Sequence, residues 1–535
     1  MSARRVSAAA AVAGALAVGL ALATGEVVAA LAGVVAPVTA VSQQVVPLAP
    51  AGLTAWAIET LGQANTVVLE VGTAVLAIAI GAGTGVLARR TFRAAVVVFV
   101  TFGVVGLAAA LAQPEAGWTA ALVIAVVVAS GLVTLRLLLS ALPPASSAPR
   151  PPSDGDAPTP TVARDAPTPT AVQDAPTPTV ARVGRRSFLA TAAGVGALAV
   201  VGAAGGRLFL SRYAGGTDPT TIALPPPARA LGQVPPGASL DVPGITPILT
   251  PTERFFRIDT ALAVPRVDLD TWSLTIRGLV DRELELSYDD LLDAPLVEVD
   301  STLACVSNEV GGSLIGTARW LGVRLDELLE HVGVDARAGQ VVGRSVDGFT
   351  AGFPLEAALD GRDALVAVGM NGEALPARHG FPARLVVPGL YGYVSATKWL
   401  ASIELTTWDG FDGYWVPRGW AKRAPLKTGS RIDVPREDAA PQPGEVVVAG
   451  VAWAAREGIS RVEVEVDGLW REAQLSRPLS QDTWVQWRLA TRLEQGPHRL
   501  RVRATDGHGD LQPEGPVPPR PDGAEGWHVR DVHVG

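Results

Sequence analysis

The chain has 535 residues, of which 48% are hydrophobic and only 18% charged, and its mean hydropathy of +0.29 is high for a soluble protein. The apolar excess lies before about residue 210, and the remainder has ordinary globular composition. The net charge is −8 and no basic tract is present, which argues against nucleic acid as a partner.

Residues 1–142 are predicted to form an all-α transmembrane bundle. A bilayer helix needs about 20 apolar residues. Four stretches meet this requirement: Val6 to Ala23, Thr66 to Leu87, Ala94 to Leu111 and Trp118 to Leu139. A fifth, shorter stretch from Phe188 to Ala204 is rich in Ala and Gly.

The distribution of arginines predicts the orientation of these spans. Arginine clusters precede the first and fifth spans, separate the second from the third, and follow the fourth. The loops at 36–65 and 113–117 contain no Lys or Arg. Because positive loops stay in the cytoplasm, five spans place the C-terminal part outside the cytoplasm, in a multi-pass protein of the cell membrane.

Residues 143–183 are predicted to be a spacer. They contain three copies of a nine-residue unit that starts at Asp156, Asp165 and Asp174 and includes Ala-Pro-Thr-Pro-Thr. Such Pro/Thr repeats cannot bury a core and favour extended polyproline II. Recognition by a Pro-binding module is the alternative reading.

Residues 184–206 are predicted to combine a twin-arginine export signal with the fifth transmembrane helix. Arg185 and Arg186 are followed by Ser-Phe-Leu and a weakly hydrophobic run. The two arginines could otherwise be topological anchors alone. All six histidines lie after residue 330, so the spans hold no histidine pair for haem.

After an extracytoplasmic linker at 207–244, residues 245–425 read as an α+β domain. The segments Trp272 to Gly278 and Glu283 to Ser287 alternate as strands, and a short helix is predicted to begin at Tyr288. Apolar residues at helical spacing predict another helix over 323–331.

This domain contains Cys305, the only cysteine of the chain. Extracytoplasmic cysteines normally occur in disulfide pairs. A single one cannot form an intramolecular bridge, a Cys-ligated iron–sulfur cluster or a Cys₄ zinc site. It is therefore a buried small hydrophobe, a reactive thiol, or one thiolate ligand to a metal whose other ligands are not protein.

Three ordered blocks over about 245–410 resemble the molybdopterin domain of the sulfite oxidase family. The blocks are Arg254 to Asp259 leading into Asp270 to Gly278; Thr302 to Asn308 followed by Ala318 to Leu329; and Arg378 to Pro388 running into Tyr391 to Tyr393 and Lys398 to Leu400. The resemblance predicts a molybdenum–molybdopterin cofactor.

The resemblance also implies roles for particular residues. Cys305 would ligate molybdenum, which makes it the metal-binding and central catalytic residue. The expected cofactor-binding residues are Arg254, Phe256, Cys305, Ser345, His379, Arg384, Ser395, Thr397 and Lys398, of which Ser345 lies between the second and third blocks. Arg384 would offer a planar, two-donor guanidinium to the pterin phosphate, and Lys398 would offer a point charge. Ser395 and Thr397 would lie near that phosphate. Arg384 and Glu309 are the further predicted catalytic residues.

One position departs from the family pattern. Sulfite oxidases commonly place arginines four or five residues after the cysteine, whereas this chain has Glu309 and Val310 there. A carboxylate would repel a sulfite dianion. Both sulfite oxidation and reduction of an S-oxide of the methionine sulfoxide type therefore stay open as activities.

Residues 444–535 are predicted to form an all-β immunoglobulin-like sandwich. Alternating strands and the turn dipeptides Asp467-Gly468 and Asp506-Gly507 carry this prediction. The region resembles the dimerisation domain of the same family, which predicts a homodimer.

The sequence thus predicts a three-part enzyme: a membrane bundle, an α+β molybdopterin domain and an all-β domain. It would transfer an oxygen atom to or from a small sulfur substrate, either a sulfur oxyanion or an S-oxide. No haem motif is found, so electrons are expected to pass to or from a separate carrier. The competing reading is a membrane-tethered binding protein that has lost catalysis.

Overall fold

The computed structural model describes residues 3–32, 34–49, 65–112, 118–142, 190–202, 216–261 and 264–535. These residues form two compact units, one up to Gly202 and one from Gly216 onward. The predicted repeat linker at 143–183 and the Arg185–Arg186 signal lie outside the described residues.

The first unit consists of helices. Their bounds are Ala3–Ala32, Pro37–Leu48, Asn65–Ala88, Phe92–Leu111, Trp118–Ser140 and Ala190–Gly202. Four contain segments long and apolar enough to cross a membrane: Val6–Ala29, Val67–Ala88, Phe92–Leu111 and Trp118–Ser140. These agree with the four predicted spans, and their length and composition fit insertion into a bilayer.

The helix Pro37–Leu48 lies in a connection that was expected to be a loop. Proline is favoured at the first helical position, where its missing N–H costs no hydrogen bond. Thr39 donates a hydrogen bond to the Glu70 carboxylate at 3.0 Å, and the Ser42 and Thr73 hydroxyls lie 3.1 Å apart. Polar contacts therefore tie this short helix to its neighbour.

The α+β part of the second unit contains ten strands. They are β1 (Leu274–Gly278), β2 (Leu284–Leu286), β3 (Val297–Ala304), β4 (Ile315–Arg324), β5 (Gln340–Ser345), β6 (Thr350–Pro354), β7 (Leu365–Met370), β8 (Glu373–Ala374), β9 (Arg384–Val386) and β10 (Leu400–Thr406). One sheet has the order β2-β1-β10-β5-β6. The other has the order β3-β4-β7-β8, with β9 also paired to β7.

Short helices connect these strands. They span Tyr288–Asp293, Leu325–Val332, Glu356–Leu359 and Gly392–Ser395. The first begins where the sequence predicted, because Ser287 and Asp290 form a reciprocal capping box. Fully buried Trp320 and Leu385 belong to the core of this region.

Eight further strands form the C-terminal part. They are β11 (Gly429–Val434), β12 (Gly444–Trp453), β13 (Ile459–Val466), β14 (Leu469–Glu472), β15 (Gln474–Leu475), β16 (Val485–Leu493), β17 (Gly496–Asp506) and β18 (His528–Val534). Two four-stranded sheets result, with orders β11-β12-β16-β15 and β14-β13-β17-β18. The all-β character agrees with the prediction, while β11 precedes the predicted boundary at 444.

The turn between β13 and β14 follows from its sequence. Asp467 and Gly468 both have positive φ, at 51° and 89°. An Asp-Gly pair is suited to such a two-residue hairpin turn. The alternation of the flanking strands then sends Val462, Val464 and Val466 into the core between the sheets.

The C-terminal sheets pack directly against the α+β part. The Trp484 indole donates to the Ile248 carbonyl at 2.8 Å, and the Trp484 amide donates to the Thr302 hydroxyl at 2.8 Å. Thr302 lies on β3, three residues before Cys305. This contact brings C-terminal residues close to the segment that carries the cysteine.

Candidate functional site

Cys305 follows directly after β3, where the strand leaves the sheet. Its amide donates to the Leu314 carbonyl at 2.9 Å, which closes the loop between β3 and β4. The residue is buried and lines a pocket, named the Cys305 pocket, whose empty volume is about 780 Å³ including space open to solvent. Burial raises the pKa of the thiol, and hydrogen bonds from Ser307 act in the opposite direction.

Arg384 reaches the same pocket from the first residue of β9. Its side chain is buried, and the guanidinium donates to the His379 carbonyl at 3.1 Å and lies over the Trp320 ring at 5.0 Å. In the described part of the chain its hydrogen bonds go to the Leu385 and His379 carbonyls, and no carboxylate pairs with it. Burial lowers the pKa of Arg384 to about 10, so the group stays charged at neutral pH.

Lys398 enters the pocket from the segment that precedes β10. Leu385 donates to the Thr397 carbonyl at 2.9 Å and Leu400 donates to the Ala383 carbonyl at 2.9 Å. These bonds join β9 to the Lys398 segment and so link the two sheets. Burial, followed by the nearby Arg257 guanidinium, lowers the pKa of Lys398 to about 7. The Asp259 carboxylate pairs with the Lys398 ammonium.

Aromatic rings form another wall. Phe256 stacks on Phe255 at 5.2 Å, and Phe255 meets His379 edge-on at 5.9 Å. The His379 ring lies 2.9 Å from the Thr252 carbonyl. Burial, followed by the charge of Arg384, lowers the pKa of His379 to about 4. The imidazole is therefore neutral at physiological pH, with its Nε2 proton held by that carbonyl.

The structure brings six of the predicted site residues together. Those that line the Cys305 pocket are Cys305, Phe256, Ser345, His379, Arg384 and Lys398. Ser395 and Thr397 are fully buried behind this wall, and the Ser395 hydroxyl donates to the Tyr391 carbonyl at 3.0 Å. Arg254 is exposed and does not line the pocket.

Glu309 lies in a different place. It lines a second pocket of about 390 Å³ empty volume, named the Glu309 pocket, together with Asn308, Tyr391, Lys427 and Glu525. Ala304 lines both pockets, so they lie on two sides of the segment that leads into Cys305. Glu309 therefore does not share a pocket wall with Arg384.

Sequence reasoning missed Asp259 as a site residue. Its carboxylate is only 4% exposed, accepts from Arg257 Nε at 2.6 Å and pairs with Lys398. The signal was present, since Asp259 ends the first of the three sequence blocks. Tyr393, which belongs to the third sequence block, and Trp415 also line the pocket, and no residue pattern pointed to Trp415.

The pocket has features that fit an anionic ligand with hydrogen-bonding edges. A fully buried guanidinium without a carboxylate partner is costly unless an anion approaches it. Behind the pocket wall, the Thr397 hydroxyl is buried and has no hydrogen-bond partner within the described residues. A Cβ added to Gly343 would come within 2.5 Å of that hydroxyl, so glycine keeps this space open.

Comparison with known proteins identifies the class. Residues 261–415 match the family model described as the oxidoreductase molybdopterin binding domain. This range includes Cys305, Arg384 and Lys398. The second unit therefore contains a molybdopterin-binding oxidoreductase domain, and the anion-accepting features of the Cys305 pocket fit that cofactor.

Three relatives define the family. The chain is 32% identical over 336 residues to sulfite oxidase from Gallus gallus, covering 53% of this chain and 71% of that protein. It is 30% identical over 334 residues to mitochondrial sulfite oxidase from Homo sapiens, covering 53% and 59%. It is 36% identical over 156 residues to the uncharacterized oxidoreductase YuiH from Bacillus subtilis, covering 29% and 75%.

The chain belongs to the sulfite oxidase family of molybdopterin-dependent oxidoreductases, and it is an enzyme of that type. Its match spans 59% of the length of the human protein.

Proposed function

We propose that this protein is a membrane-anchored molybdenum enzyme that transfers an oxygen atom to or from a small sulfur compound outside the cytoplasm. The observation that carries the proposal is the pocket in which the Cys305 thiol, the buried Arg384 guanidinium and Lys398 meet. A soft sulfur ligand and two cations are what a metal bound through an anionic pterin requires.

The residues of the pocket take separate parts in holding the cofactor. Cys305 supplies the single protein sulfur, and its pKa falls once a metal binds the thiolate. Arg384 and Lys398 hold the anionic end. His379, kept neutral by burial, offers a hydrogen-bonding edge, while Phe256 and Ser345 line the cavity. Ser395, Thr397 and Arg254 would support this wall from outside the cavity.

When bound, the cofactor supplies two-electron oxygen-atom chemistry. Sulfite oxidation takes an oxygen from water and releases two electrons and two protons. Reduction of an S-oxide consumes two electrons and two protons and releases water. In either direction a separate one-electron carrier exchanges the electrons, and we propose that this protein itself carries neither haem nor an iron–sulfur cluster.

The Glu309 pocket favours the S-oxide direction. A carboxylate close to the cysteine segment opposes a dianion, whereas an uncharged S-oxide meets no such repulsion. Sulfite oxidation is supported instead by the similarity to sulfite oxidases.

The membrane arrangement rests on the four apolar helices and on the arginine distribution. We propose that positive loops lie in the cytoplasm and that the catalytic domain lies outside, exported with its cofactor through the Arg185–Arg186 signal. The two C-terminal sheets are proposed to form an immunoglobulin-like sandwich that pairs two copies of the chain.

Metal analysis and substrate profiling of the full-length protein, purified in detergent from a host that makes the cofactor, test this proposal. We expect about one molybdenum per chain and turnover either of sulfite with ferricyanide as acceptor or of S-oxides with reduced methyl viologen as donor. Purified folded protein without molybdenum, or with molybdenum but no activity in either assay, would contradict it.

A further inference from the structure

The Cys305 thiol takes hydrogen bonds from its own loop, residues 305–314, which is named the Cys305 loop. The amide and the hydroxyl of Ser307 both bond to the sulfur. The Cys305 amide closes the base of the loop by donating to the Leu314 carbonyl at 2.9 Å. The Asn308 amide donates to the Cys305 carbonyl at 3.0 Å. A displacement of the Cys305 loop therefore moves the thiol together with the groups that bond to it.

Arg431 of β11 reaches the far side of the Cys305 loop. Its Nη1 donates to the Gly312 carbonyl at 2.6 Å. Its Nη2 donates to the Thr246 hydroxyl at 2.8 Å, and its Nε donates to the Asp433 carboxylate at 2.7 Å. All three nitrogens of the guanidinium thus have acceptors. Arg431 therefore joins the Cys305 loop both to β11 and to the segment that precedes the α+β part.

This contact is buried, which makes it rigid. Only 9% of the Arg431 side chain and 8% of the Asp433 side chain are exposed. The second oxygen of Asp433 accepts from the Thr246 amide at 3.1 Å. Because a buried charge that loses its partner is costly, Arg431 cannot turn away from this place without destabilising Asp433. The Gly312 carbonyl is consequently held by a donor that has no alternative position nearby.

A second contact acts on the neighbouring residue of the loop. Gly311 has a positive φ of 78°, and a Cβ added there would lie 2.4 Å from the His528 ring. Glycine is therefore required both by its backbone conformation and by the close approach of the ring. His528 in turn accepts from the Ile432 amide, next to Arg431 on β11. The C-terminal sheets thus contact two successive residues of the Cys305 loop.

The chain is also held on the other side of the cysteine. Strand β3, which ends at Ala304, lies at the edge of its sheet. On that edge the Thr302 amide donates to the Asp482 carbonyl at 2.8 Å, and the Trp484 amide donates to the Thr302 hydroxyl at 2.8 Å. Residues of the C-terminal part therefore bind the chain both before and after Cys305.

We propose that Arg431 is a positioning residue, which holds the Cys305 loop through the Gly312 carbonyl and so fixes the direction of the Cys305 thiol. Arg431 does not line the Cys305 pocket and acts through the loop. Groups behind a metal ligand commonly orient it in this way. The inference rests on the proposed role of Cys305 as the metal ligand, and it makes the C-terminal sheets a support of that site.

The reactivity of the thiol tests the proposal without metal or turnover. Cys305 is the only cysteine of the chain, so alkylation of the full-length metal-free protein by iodoacetamide reports on this one site. The thiol is only 8% exposed, so access limits its reaction. Arg431→Lys keeps a charge beside Asp433, but one ammonium cannot reproduce the planar three-way contact. We expect the alkylation rate to rise about tenfold, as for one lost charge-assisted hydrogen bond.

A second variant and a matched control locate the effect. The double change Arg431→Gln with Asp433→Asn removes both charges together, leaves no unpaired buried charge, and should give the same rise. Arg324→Lys is the control, because Arg324 is also largely buried and pairs with Asp326 and Asp363. It lies at the opposite end of β4 from the Cys305 loop, about 30 Å along the strand. Unchanged alkylation in both Arg431 variants, or an equal rise in Arg324→Lys, would overturn the proposal.

An optical measurement extends the test to the loaded protein. The thiolate-to-molybdenum absorption band depends on the overlap of sulfur and metal orbitals, so it reports how the thiol is directed. At equal molybdenum content, we expect the band to shift or weaken in Arg431→Lys and to stay unchanged in Arg324→Lys. An unchanged band in Arg431→Lys would overturn Arg431 as a positioning residue of the ligand. Protein without molybdenum would contradict only the proposed function, and the alkylation rates would then decide the inference.

Discussion

The two pockets that meet at Ala304 differ in how each holds one basic side chain, Arg384 in the first and Lys427 in the second. In the Cys305 pocket the buried Arg384 is held by a carbonyl and an aromatic ring and has no carboxylate partner. In the Glu309 pocket the ammonium of Lys427 is surrounded by Asp522 and Glu525. Because each pocket contains a basic residue, the residue type alone would predict an anion site in both pockets. The neighbours decide that Arg384, unlike Lys427, presents a positive charge without a carboxylate partner, while Lys398 of the Cys305 pocket pairs with Asp259.

The largest effect is expected at the cysteine. Cys305→Ser should reduce turnover to background, since a hydroxyl is a poor ligand for a soft metal site. The fold should persist, because the substitution changes one atom of a small buried side chain. Turnover with the wild-type substrate and thermal unfolding of the metal-free protein measure the two outcomes. Full turnover in this variant would remove Cys305 from the proposed mechanism.

The next largest effect is expected at Arg384, whose guanidinium has no carboxylate partner. Arg384→Gln should lower affinity for the cofactor about 10- to 100-fold, as expected for a lost charge-assisted hydrogen bond. Unfolding of the metal-free variant should be unchanged or occur at a higher temperature, since a buried unpaired charge is gone. Fluorescence of the extracted pterin and thermal unfolding report these results. Normal cofactor content would show that Arg384 serves packing alone.

A histidine also borders each pocket, buried in the case of His379 and partly buried in the case of His528. His528 accepts from the Ile432 amide at 2.9 Å and packs so closely on Gly311 that a Cβ there would lie 2.4 Å from its ring. Burial, followed by Arg530 and Arg431, lowers the pKa of His528 to about 4, with Asp433 opposing. The pKa of His379, which lines the Cys305 pocket, is likewise lowered to about 4.

These values predict acid destabilisation. Because the folded pKa lies below the unfolded value of 6.5, the unfolded chain binds the proton first as the pH falls. The stabilisation is complete above pH 6.5 and is lost towards pH 4, by roughly 3 kcal/mol at most for each histidine. His528→Gln should make the decline in the free energy of unfolding shallower over this window. An identical pH profile would mean that folding does not lower the pKa of His528.

A smaller effect is expected from the paired lysine. Lys427→Met leaves Asp522 and Glu525 without their cation and should lower the free energy of unfolding by about 1 kcal/mol. Cofactor content should not change, in contrast to Arg384→Gln. Urea unfolding and pterin analysis, run on both variants together, make the comparison. Cofactor loss in the lysine variant would show that the two pockets are not independent.

The sequence predicted the Cys305 pocket better than its neighbour for a physical reason. Cys305, His379, Arg384 and Lys398 lie in short blocks whose spacing is set by adjacent strands, so the pattern survives in the linear sequence. Lys427 and Glu525 reach the Glu309 pocket through packing of the C-terminal sheets, which no local pattern encodes. Asp259 was overlooked because its partner Lys398 is distant in the chain.

Elements of the fold differ in the same way. The four apolar spans and the alternating strands were predictable from periodicity, because each depends on local burial. The helix Pro37–Leu48 was not, since its twelve residues have only moderate apolar character and are held by contacts such as Thr39 to Glu70. Strand β11 was missed in a similar way, because it depends on pairing with β12.

The last and smallest effect concerns sulfite itself. Glu309→Arg replaces the one unpaired carboxylate of its pocket with a cation, while Lys427 stays neutralised. We expect the Michaelis constant for sulfite to fall severalfold at low ionic strength, with the difference shrinking as salt screens the charge. Steady-state kinetics over a salt series measures it. Efficient sulfite oxidation by the wild type, unimproved by the Glu309→Arg change, would show that this carboxylate does not face the substrate.

Arg319 could not readily form the anion site in that case, because both its Nε and one terminal nitrogen bind Asp300 at 2.9 Å. The exposed Arg254 would then be the first candidate for the anion site, and sulfite oxidation the leading activity.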